Sequence, residues 1–448
     1  MGRLFGTDGI RGIVGRDITC DQANLVGRAL IHALPHKSEG GARVIIGMDT
    51  RISSDMLADS LAEGICFAGG SSTIIGVCST PAVAYLVVKG GYDAGVMISA
   101  SHNPWDYNGI KIFGPDGFKL SDELEEKIED LLLEYDDALL RRAEKMGSFG
   151  YLHEATKEYA DYIIGSAYSS LEGLRIGIDC ANGSAAETAE RIFTELGAEC
   201  HILANDPNGT NINENCGSTH IESLRQTVIE KQLDAGIAFD GDADRCLAID
   251  ENGNDVDGDH IIAILAEKLA SEGALQGNTV VGTVMSNLGL VKFCEERGIS
   301  FKAAKVGDRY VLEMLNAEGL SLGGEQSGHI ILRKLSTTGD GQLTAVCLLS
   351  HMKKSSKSLS ALASVMKKYP QYMINLRADA DAKARLKTDE VITSLVAECE
   401  SEMRGRGRIL IRPSGTEPLI RVMTEGESPE LAESICKRLA DGISKRLG

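Results

Sequence analysis

Positive charge is what this chain is short of: 46 Lys and Arg stand against 65 Asp and Glu, a formal charge of −19. A sequence-independent nucleic-acid binder needs a basic face, so that class is excluded. Any site for an anionic substrate must then be locally basic against an acidic background. Also missing is an uncharged run fit to span a membrane. The longest, Gly64–Val88, is broken by Gly69, Gly70, Ser71, Ser72, Thr80 and Pro81, and reads as buried strand and turn. The N-terminal stretch MGRLFGTDGIRG lacks the apolar core of a signal peptide. Cysteine is not scarce, at 11, but no CxxC or paired spacing occurs. That disfavours a structural zinc site and a disulfide framework, and reduced thiols in a cytoplasmic protein are the expectation. Low-complexity sequence is absent as well. With 448 residues, 43% hydrophobic and 25% charged, the chain is neither disordered nor fibrous and should form roughly two to four domains.

What is present is a recurring unit: a β-branched apolar run, a polar loop, then a helical stretch. It opens at Arg43–Asp49, Leu174–Asp179 and Thr279–Thr283. Each copy has a second apolar run roughly 40–60 residues later, the length of a small α/β unit. Those second runs are Asp93–Ser101, Asp234–Asp242 and Leu320–Glu325. The first two align over Asp-Ala-Gly and the next apolar triplet, which places Ser101 opposite Asp242 just past a strand end. Three repeated α/β units are the economical reading. The pattern predicts helices over Ser121–Lys145, His153–Ser166 and His260–Ser271. After Tyr369-Pro370 it changes to short strands around a helix, a separate small domain.

In open α/β sheets, ligands gather outside the carboxyl ends of strands. Four polar, glycine-containing loops lie at such ends. The first is Ser99–Pro104, followed by Asn108-Gly109-Ile110-Lys111. A Ser beside a His can be an activated nucleophile, with Lys111 to neutralise a phosphate or move a proton; the same residues also favour an ordinary turn. The second is Asp240-Gly241-Asp242-Ala243-Asp244-Arg245. Carboxylates on alternate residues after a buried strand repel one another unless a cation sits among them. An EF-hand is excluded, because its sixth position is Arg245 instead of Gly and its flanks read as strands. A three-Asp Mg²⁺ site with open positions for phosphate oxygens fits better. In the third loop, Gly323–His329, small residues admit a ligand while Glu325 and Ser327 suit sugar hydroxyls. In the fourth, Arg412–Pro418 with Arg421 beyond it, Ser414, Gly415, Thr416 and two Arg make a phosphate cradle.

These loops, with Gly6-Thr7-Asp8-Gly9-Ile10-Arg11-Gly12, resemble the motifs of the α-D-phosphohexomutase superfamily in order and spacing over residues 6 to 421. Within it the chain is most similar to the phosphoglucosamine mutases. The features are Gly324–His329, Val306-Gly307-Asp308-Arg309-Tyr310, and Cys216–His220 after Asn211-Ile212-Asn213. Phosphomannomutase/phosphoglucomutase relatives usually carry Met where Gln326 stands. A departure is Met48 in Gly47-Met48-Asp49-Thr50-Arg51, where the superfamily more often has Arg or Lys.

The resemblance implies three repeated α/β, mixed-sheet domains (1–152, 153–256, 257–368) and a smaller α+β C-terminal domain (369–448) around a central active-site cleft. It implies a phosphoserine enzyme with Ser101 as phosphoryl carrier. Glucosamine 6-phosphate and 1-phosphate would interconvert, upstream of UDP-N-acetylglucosamine and cell-wall precursors. One Mg²⁺ per active site would sit on Asp240, Asp242, Asp244 and a phosphoserine oxygen. Glucosamine 1,6-bisphosphate would serve as intermediate and activator. Arg11, Lys111 and His329 join Ser101 in catalysis by the same resemblance. His102, Arg245, Glu325, Ser327, Arg412, Ser414, Gly415, Thr416 and Arg421 bind substrate. The expected partners are sugar phosphates and a second copy in a homodimer, not nucleic acid or membrane. Rival readings are a sister mutase for glucose or mannose phosphates, a phosphohydrolase using Asp240 as nucleophile, and a non-catalytic binding protein. The phosphohydrolases prefer Thr or Val at position 244 and have no use for Ser101.

Overall fold

The computed structural model describes residues 4–6, 8–35, 41–134, 137–386, 388–414 and 418–447. Its first sheet contains β1 (Ile10–Ile13), β2 (Arg43–Met48), β3 (Ser71–Val77), β4 (Ala94–Ile98), β5 (Tyr107–Phe113) and β6 (Phe149–Tyr151), ordered β1-β5-β4-β2-β3-β6. The second contains β7 (Arg175–Asp179), β8 (Glu199–Leu203), β9 (Ala235–Phe239), β10 (Cys246–Asp250) and β11 (Asp255–Val256), ordered β11-β10-β9-β7-β8. The third contains β12 (Thr279–Thr283), β13 (Ser300–Ala304), β14 (Leu322–Gly324) and β15 (Ile330–Leu332), ordered β13-β12-β14-β15. One four-strand core recurs in all three: a central strand (β2, β7, β12) between two parallel neighbours, then an antiparallel strand (β5, β10, β15) returning from the second neighbour. The central strands are short β-branched runs buried along nearly their whole length, as strands covered on both faces must be.

This repeat decides where function collects. The turn from β4 to β5, from β9 to β10 and from β14 to β15 is the same turn three times over, and it carries the serine, aspartate and glutamate loops respectively.

Two expected elements differ. The helix predicted over Ser121–Lys145 is shorter and broken: it runs over Asp122–Leu133, and a four-residue helix follows over Asp137–Leu140. Glu134 follows the first at once, where negative charge is unfavourable, whereas Asp137 opens the second, where it is favourable. The stretch Gly64–Val88, read as strand and turn, holds the end of a helix over Ser54–Phe67, then β3, then a helix over Thr80–Gly90. There Ser79 caps the N-terminus by accepting the Ala82 N–H, and Pro81 sits in the first turn, where no N–H is needed.

The chain divides into two compact bodies. The first runs up to Met285 and resumes over Ile299–Val365; the second is Ser286–Gly298 with the chain from Met366 on. In the second body β16 (Gln371–Arg377), β18 (Leu419–Gly426) and β17 (Gly407–Pro413) form an antiparallel sheet with β18 central. Helices over Glu390–Met403 and Pro429–Leu447 supply Ile392, Cys399, Met403, Ile435 and Leu439 to its core. Asn287 fastens the segment Ser286–Gly298 to this body: its side chain bonds the Tyr369 carbonyl at 3.0 Å and Glu425 at 3.1 Å. No described helix is long and apolar enough to cross a membrane. The 11 thiols form no disulfide among the described residues.

Candidate active site

Ser101 follows β4 and is buried, with a left-handed backbone (φ 52°) that costs an ordinary residue about 1–2 kcal/mol. Its Oγ donates to Asp240 Oδ2 at 2.6 Å, and His102 Nδ1 stands 3.3 Å from the same oxygen. Burial, then Arg245 and Arg11, push His102 down to about 4, so its ring is neutral near pH 7 and can accept a proton. Arg11, on β1, bonds Asn103 Oδ1 of the same loop at 3.3 Å and Asp8 at 2.6 Å.

The aspartate loop occupies the same place between β9 and β10. Asp240, Asp242 and Asp244 are buried, with one oxygen from each lying within 4.8 Å of the others. Lys111, on β5 and 1% exposed, reaches in between: its Nζ is 2.8 Å from Asp242 Oδ2, 2.9 Å from Asp8 Oδ2 and 3.5 Å from Asp244 Oδ2. Thr80 Oγ1 donates to Asp242 Oδ2 at 2.5 Å. One lysine cannot neutralise three carboxylates. Burial, reinforced by Asp244 and Asp242, holds the Asp240 carboxyl well above the usual carboxylate range. Burial pushes Asp244 the same way, but Lys111, His329 and Arg245 outweigh it and hold that carboxyl well below. Asp242 Oδ1 and Asp244 Oδ1 are buried without a hydrogen-bond partner among the described residues. Excess buried negative charge with orphaned carboxylate oxygens is the donor set a hard divalent cation takes, so the triad fits such an ion.

The glutamate loop closes against these two. Gly328 has a left-handed backbone, and a Cβ there would stand 2.5 Å from the Cys246 carbonyl, so only glycine lets this loop lie on the start of β10. Glu325 Oε1 accepts the Gly307 N–H at 3.0 Å; Ser327 is half-buried beside it. His329 is buried, with Nδ1 3.6 Å from Asp244 and Nε2 3.7 Å from Asp308. Burial disfavours its cation, but Asp244 and Asp308 outweigh burial and raise it to about 9. The Gly339 N–H aimed at Nε2 (3.1 Å) can be accepted only by the neutral ring, so forming the imidazolium requires that contact to give way. Arg245 Nε lies 3.9 Å from Asp240 and 3.8 Å from Asp244.

In the second body, Arg412 on β17 and Arg421 on β18 stand directly opposite each other. Burial and then the Arg421 charge push Arg412 down. The Ser414 N–H bonds the Leu419 carbonyl at 2.8 Å, and Lys383 Nζ bonds the Ser414 carbonyl at 2.7 Å. Gly415 and Thr416 lie outside the described residues.

The first body thus gathers Ser101, His102, Lys111, the three aspartates, Arg245 and His329, with Arg11, Glu325 and Ser327 on adjoining loops; Arg412, Ser414 and Arg421 share one sheet in the second. Several groups at the site went unread in the sequence. Asp8 pairs with Arg11, Lys111 and Lys119, which hold it well below the usual range against its burial. Lys119 also pairs with Asp308. Asp8 and Asp308 lie inside motifs already singled out; nothing local marks Thr80, Lys119 or Lys383.

Four domain descriptions of the phosphoglucomutase/phosphomannomutase family match the chain: alpha/beta/alpha domain I over residues 2–138, domain II over 151–253, domain III over 257–369, and the C-terminal domain over 373–442. A phosphoglucosamine mutase of Acetivibrio thermocellus is 49% identical over 449 residues, covering 100% of each chain. Among solved structures, a phosphoglucomutase/phosphomannomutase family protein of Burkholderia thailandensis superposes with a TM-score of 0.82 at 24% identity, over 99% of this chain and 97% of that one. The N-acetylphosphoglucosamine mutase of Aspergillus fumigatus, solved in complex with GlcNAc-6P and magnesium, gives 0.67 at 17% identity over 99% and 96%. At these identities the two structures show a shared fold.

Proposed function

The chain belongs to the phosphoglucosamine mutases of the phosphoglucomutase/phosphomannomutase family, and from that premise we propose that it interconverts glucosamine 6-phosphate and glucosamine 1-phosphate through a phosphoserine at Ser101. The observation that carries the reading is the Ser101 hydroxyl, buried and 2.6 Å from an aspartate of the triad. A phosphohydrolase working through Asp240 has no need of such a serine.

Asp240, Asp242 and Asp244, with an oxygen of the phosphoserine, would hold one Mg²⁺. Bound there, the ion draws charge from the phosphoryl oxygens; magnesium in the fungal N-acetylphosphoglucosamine mutase supports this choice of metal. Lys111, Arg245 and His329 neutralise the phosphoryl group from the protein side, and Arg11 reaches the same loop. In the first half-reaction the bond from phosphorus to Ser101 Oγ breaks while one to the sugar O1 forms. The O1 proton leaves to a base and Oγ regains one, giving glucosamine 1,6-bisphosphate. In the second, the bond from phosphorus to O6 breaks, Oγ takes the phosphoryl group and loses its proton, and O6 gains one. Neither phosphate nor protons are consumed. Neutral His102 and the Asp240 carboxylate are the two acceptors in reach of the Oγ proton. Glu325 and Ser327 bind sugar hydroxyls in both orientations. Arg412, Ser414, Gly415, Thr416 and Arg421 hold the phosphate that is not reacting.

Assays with glucosamine, glucose and mannose 6-phosphates test this directly. The highest kcat/KM is expected for glucosamine 6-phosphate; a preference for glucose or mannose 6-phosphate would make the chain a sister mutase.

A further inference from the structure

Two sequence motifs, Gly47–Arg51 and Asn211–Asn213, have no part in the reaction as set out above. In the structure they converge on the same pair of atoms. Arg51 is 2% exposed and paired with Asp49 through Nη1; its Nη2 donates to the Ser101 carbonyl at 3.1 Å and the Asn103 carbonyl at 2.6 Å. From the opposite side, Asn213 Nδ2 donates to the Ser101 carbonyl at 2.9 Å and the Asn103 carbonyl at 3.1 Å. We infer that Arg51 and Asn213 are positioning residues of the mutase, a two-sided clamp on the Ser101 and Asn103 carbonyls that aims the serine oxygen at the aspartate loop. The inference rests on Ser101 as the phosphoryl carrier.

The need for a clamp comes from the backbone of Ser101. A left-handed serine reverts to the extended region unless its surroundings over-determine it. On reverting, its Cβ would swing away and the 2.6 Å bond to Asp240 would be lost. Each of the two carbonyls has two lone pairs, and here each receives two N–H donors, so neither peptide can rotate without breaking two bonds.

Both donors are themselves braced, and from different sheets. Asp49, at the end of β2, accepts the Arg51 N–H at 3.1 Å and the Ser54 hydroxyl at 2.9 Å, which fixes the guanidinium. Asn213 hangs from the second sheet: its N–H bonds the Ala181 carbonyl at 2.8 Å, and Asp179, at the end of β7, accepts the Ala181 and Gly217 N–H groups at 2.9 Å each. The Arg51 turn is also keyed to that sheet's loops, through Thr50 Oγ1 on the Asn182 carbonyl at 2.6 Å and the Ile52 N–H on the Gly209 carbonyl at 2.9 Å. Holding the serine loop from both sheets fixes Ser101 relative to Asp240, which belongs to the second. Neither clamp residue is hydrogen-bonded to Ser101 Oγ or to the triad, so their effect must pass through the loop.

The test uses the full-length chain with Asn213→Ala and Asn213→Asp, and Arg51→Lys as a second probe of the other side. Each is incubated with glucose 1,6-bisphosphate, and intact mass follows the gain of phosphate on Ser101. The kcat and KM for glucosamine 6-phosphate and the melting temperature are read on the same preparations. Asn213→Ala should slow both phosphate gain and kcat by about 10-fold or more with KM within about 2-fold, the split expected when only alignment for the transfer is lost. Asn213→Asp, which sets a carboxylate against two carbonyls, should be slower still. Arg51→Lys keeps a charge for Asp49 but lacks the planar fork, and should fall short of rescue. Unchanged phosphorylation and kcat in both Asn213 variants would overturn the clamp, whatever their melting temperature, and so would a kcat/KM loss carried wholly by KM. If the wild-type chain gains no phosphate on Ser101, the carrier reading fails first and takes the clamp with it.

Discussion

In the first body, the charges at the site are interleaved: Lys111 lies among Asp8, Asp242 and Asp244, Lys119 joins Asp8 to Asp308, and Arg245 leans on Asp240 and Asp244. In the second, β17 and β18 set Arg412 and Arg421 directly opposite each other, and the Arg421 charge helps push Arg412 down. The contrast separates two arrangements, each fitted to one of the phosphate roles proposed above. A region with more buried carboxylate than its lysine neutralises, and two orphaned oxygens, suits a metal ion and a phosphoryl group on the move. A region that holds like charges together suits a phosphate that must be gripped and later released. On the proposed reading, the same acidic chain makes both by placing the few cations it has.

The comparison breaks most plainly at its nucleophile. Ser101→Ala should lower mutase activity by orders of magnitude while the melting temperature holds, because it removes the only proposed phosphoryl carrier; substantial turnover by this variant would leave the aspartate region without its cargo. Chelation comes next: excess EDTA should silence the enzyme and Mg²⁺ restore it. Asp242→Asn, which removes one anionic oxygen, should raise the Mg²⁺ needed for half-maximal activity. Full rate in metal-free buffer would reduce the triad to a structural turn.

Asp340, also in the first body, is a buried carboxyl held by Tyr159 and the Leu343 N–H and not by a cation. Burial pushes it up to about 7 against those bonds. Between about pH 4 and 7 the folded protein therefore keeps a proton that the unfolded chain has released, and stability falls as pH rises through that window. Three pH units set an upper bound of about 4 kcal/mol. Asp340→Asn should remove this one contribution to the slope of melting temperature against pH, while the other shifted groups, among them Asp179, which burial raises to about 6, keep theirs. An unchanged slope would mean that Asp340 is charge-compensated like its neighbours.

In the second body, Arg421→Ala should raise KM for sugar phosphate by about 10-fold or more, since a charge-assisted bond to phosphate contributes about 1.5–3 kcal/mol. The smallest effect sharpens the contrast best. Arg412→Gln should weaken substrate binding yet leave the ligand-free protein as stable or slightly more so, because it relieves the repulsion across β17 and β18. A clear drop in melting temperature would show that the arginine pair supports the fold.

What could be read in advance follows from range. The three loops were legible because each motif is contiguous and sits at a strand end, which the apolar runs mark. The repeat was legible for the same reason, from Asp-Ala-Gly at 93–95 and 234–236. Arg51 and Asn213 were visible only as motif members: their partners lie 50 to 112 residues away, and no spacing rule reports which carbonyl a buried guanidinium meets. Thr80 touches Asp242 across 162 residues and carries no local mark. The helix over Glu390–Met403, by contrast, was there to be found. Asp389 caps it, and Ile392, Val396, Cys399 and Met403 recur at helical spacing.

The central claim is that Ser101 carries the phosphoryl group between turnovers, gives it to the sugar in the first half-reaction and takes one back in the second. Incubating the wild-type chain with phosphorus-labelled glucose 1,6-bisphosphate, quenching, and mapping the label by peptide mass spectrometry tests it most directly. The account predicts one acid-stable phosphate per chain, on Ser101, which glucosamine 6-phosphate removes. An acid-labile label on Asp240, or a Ser101 that stays bare while product forms, would contradict it.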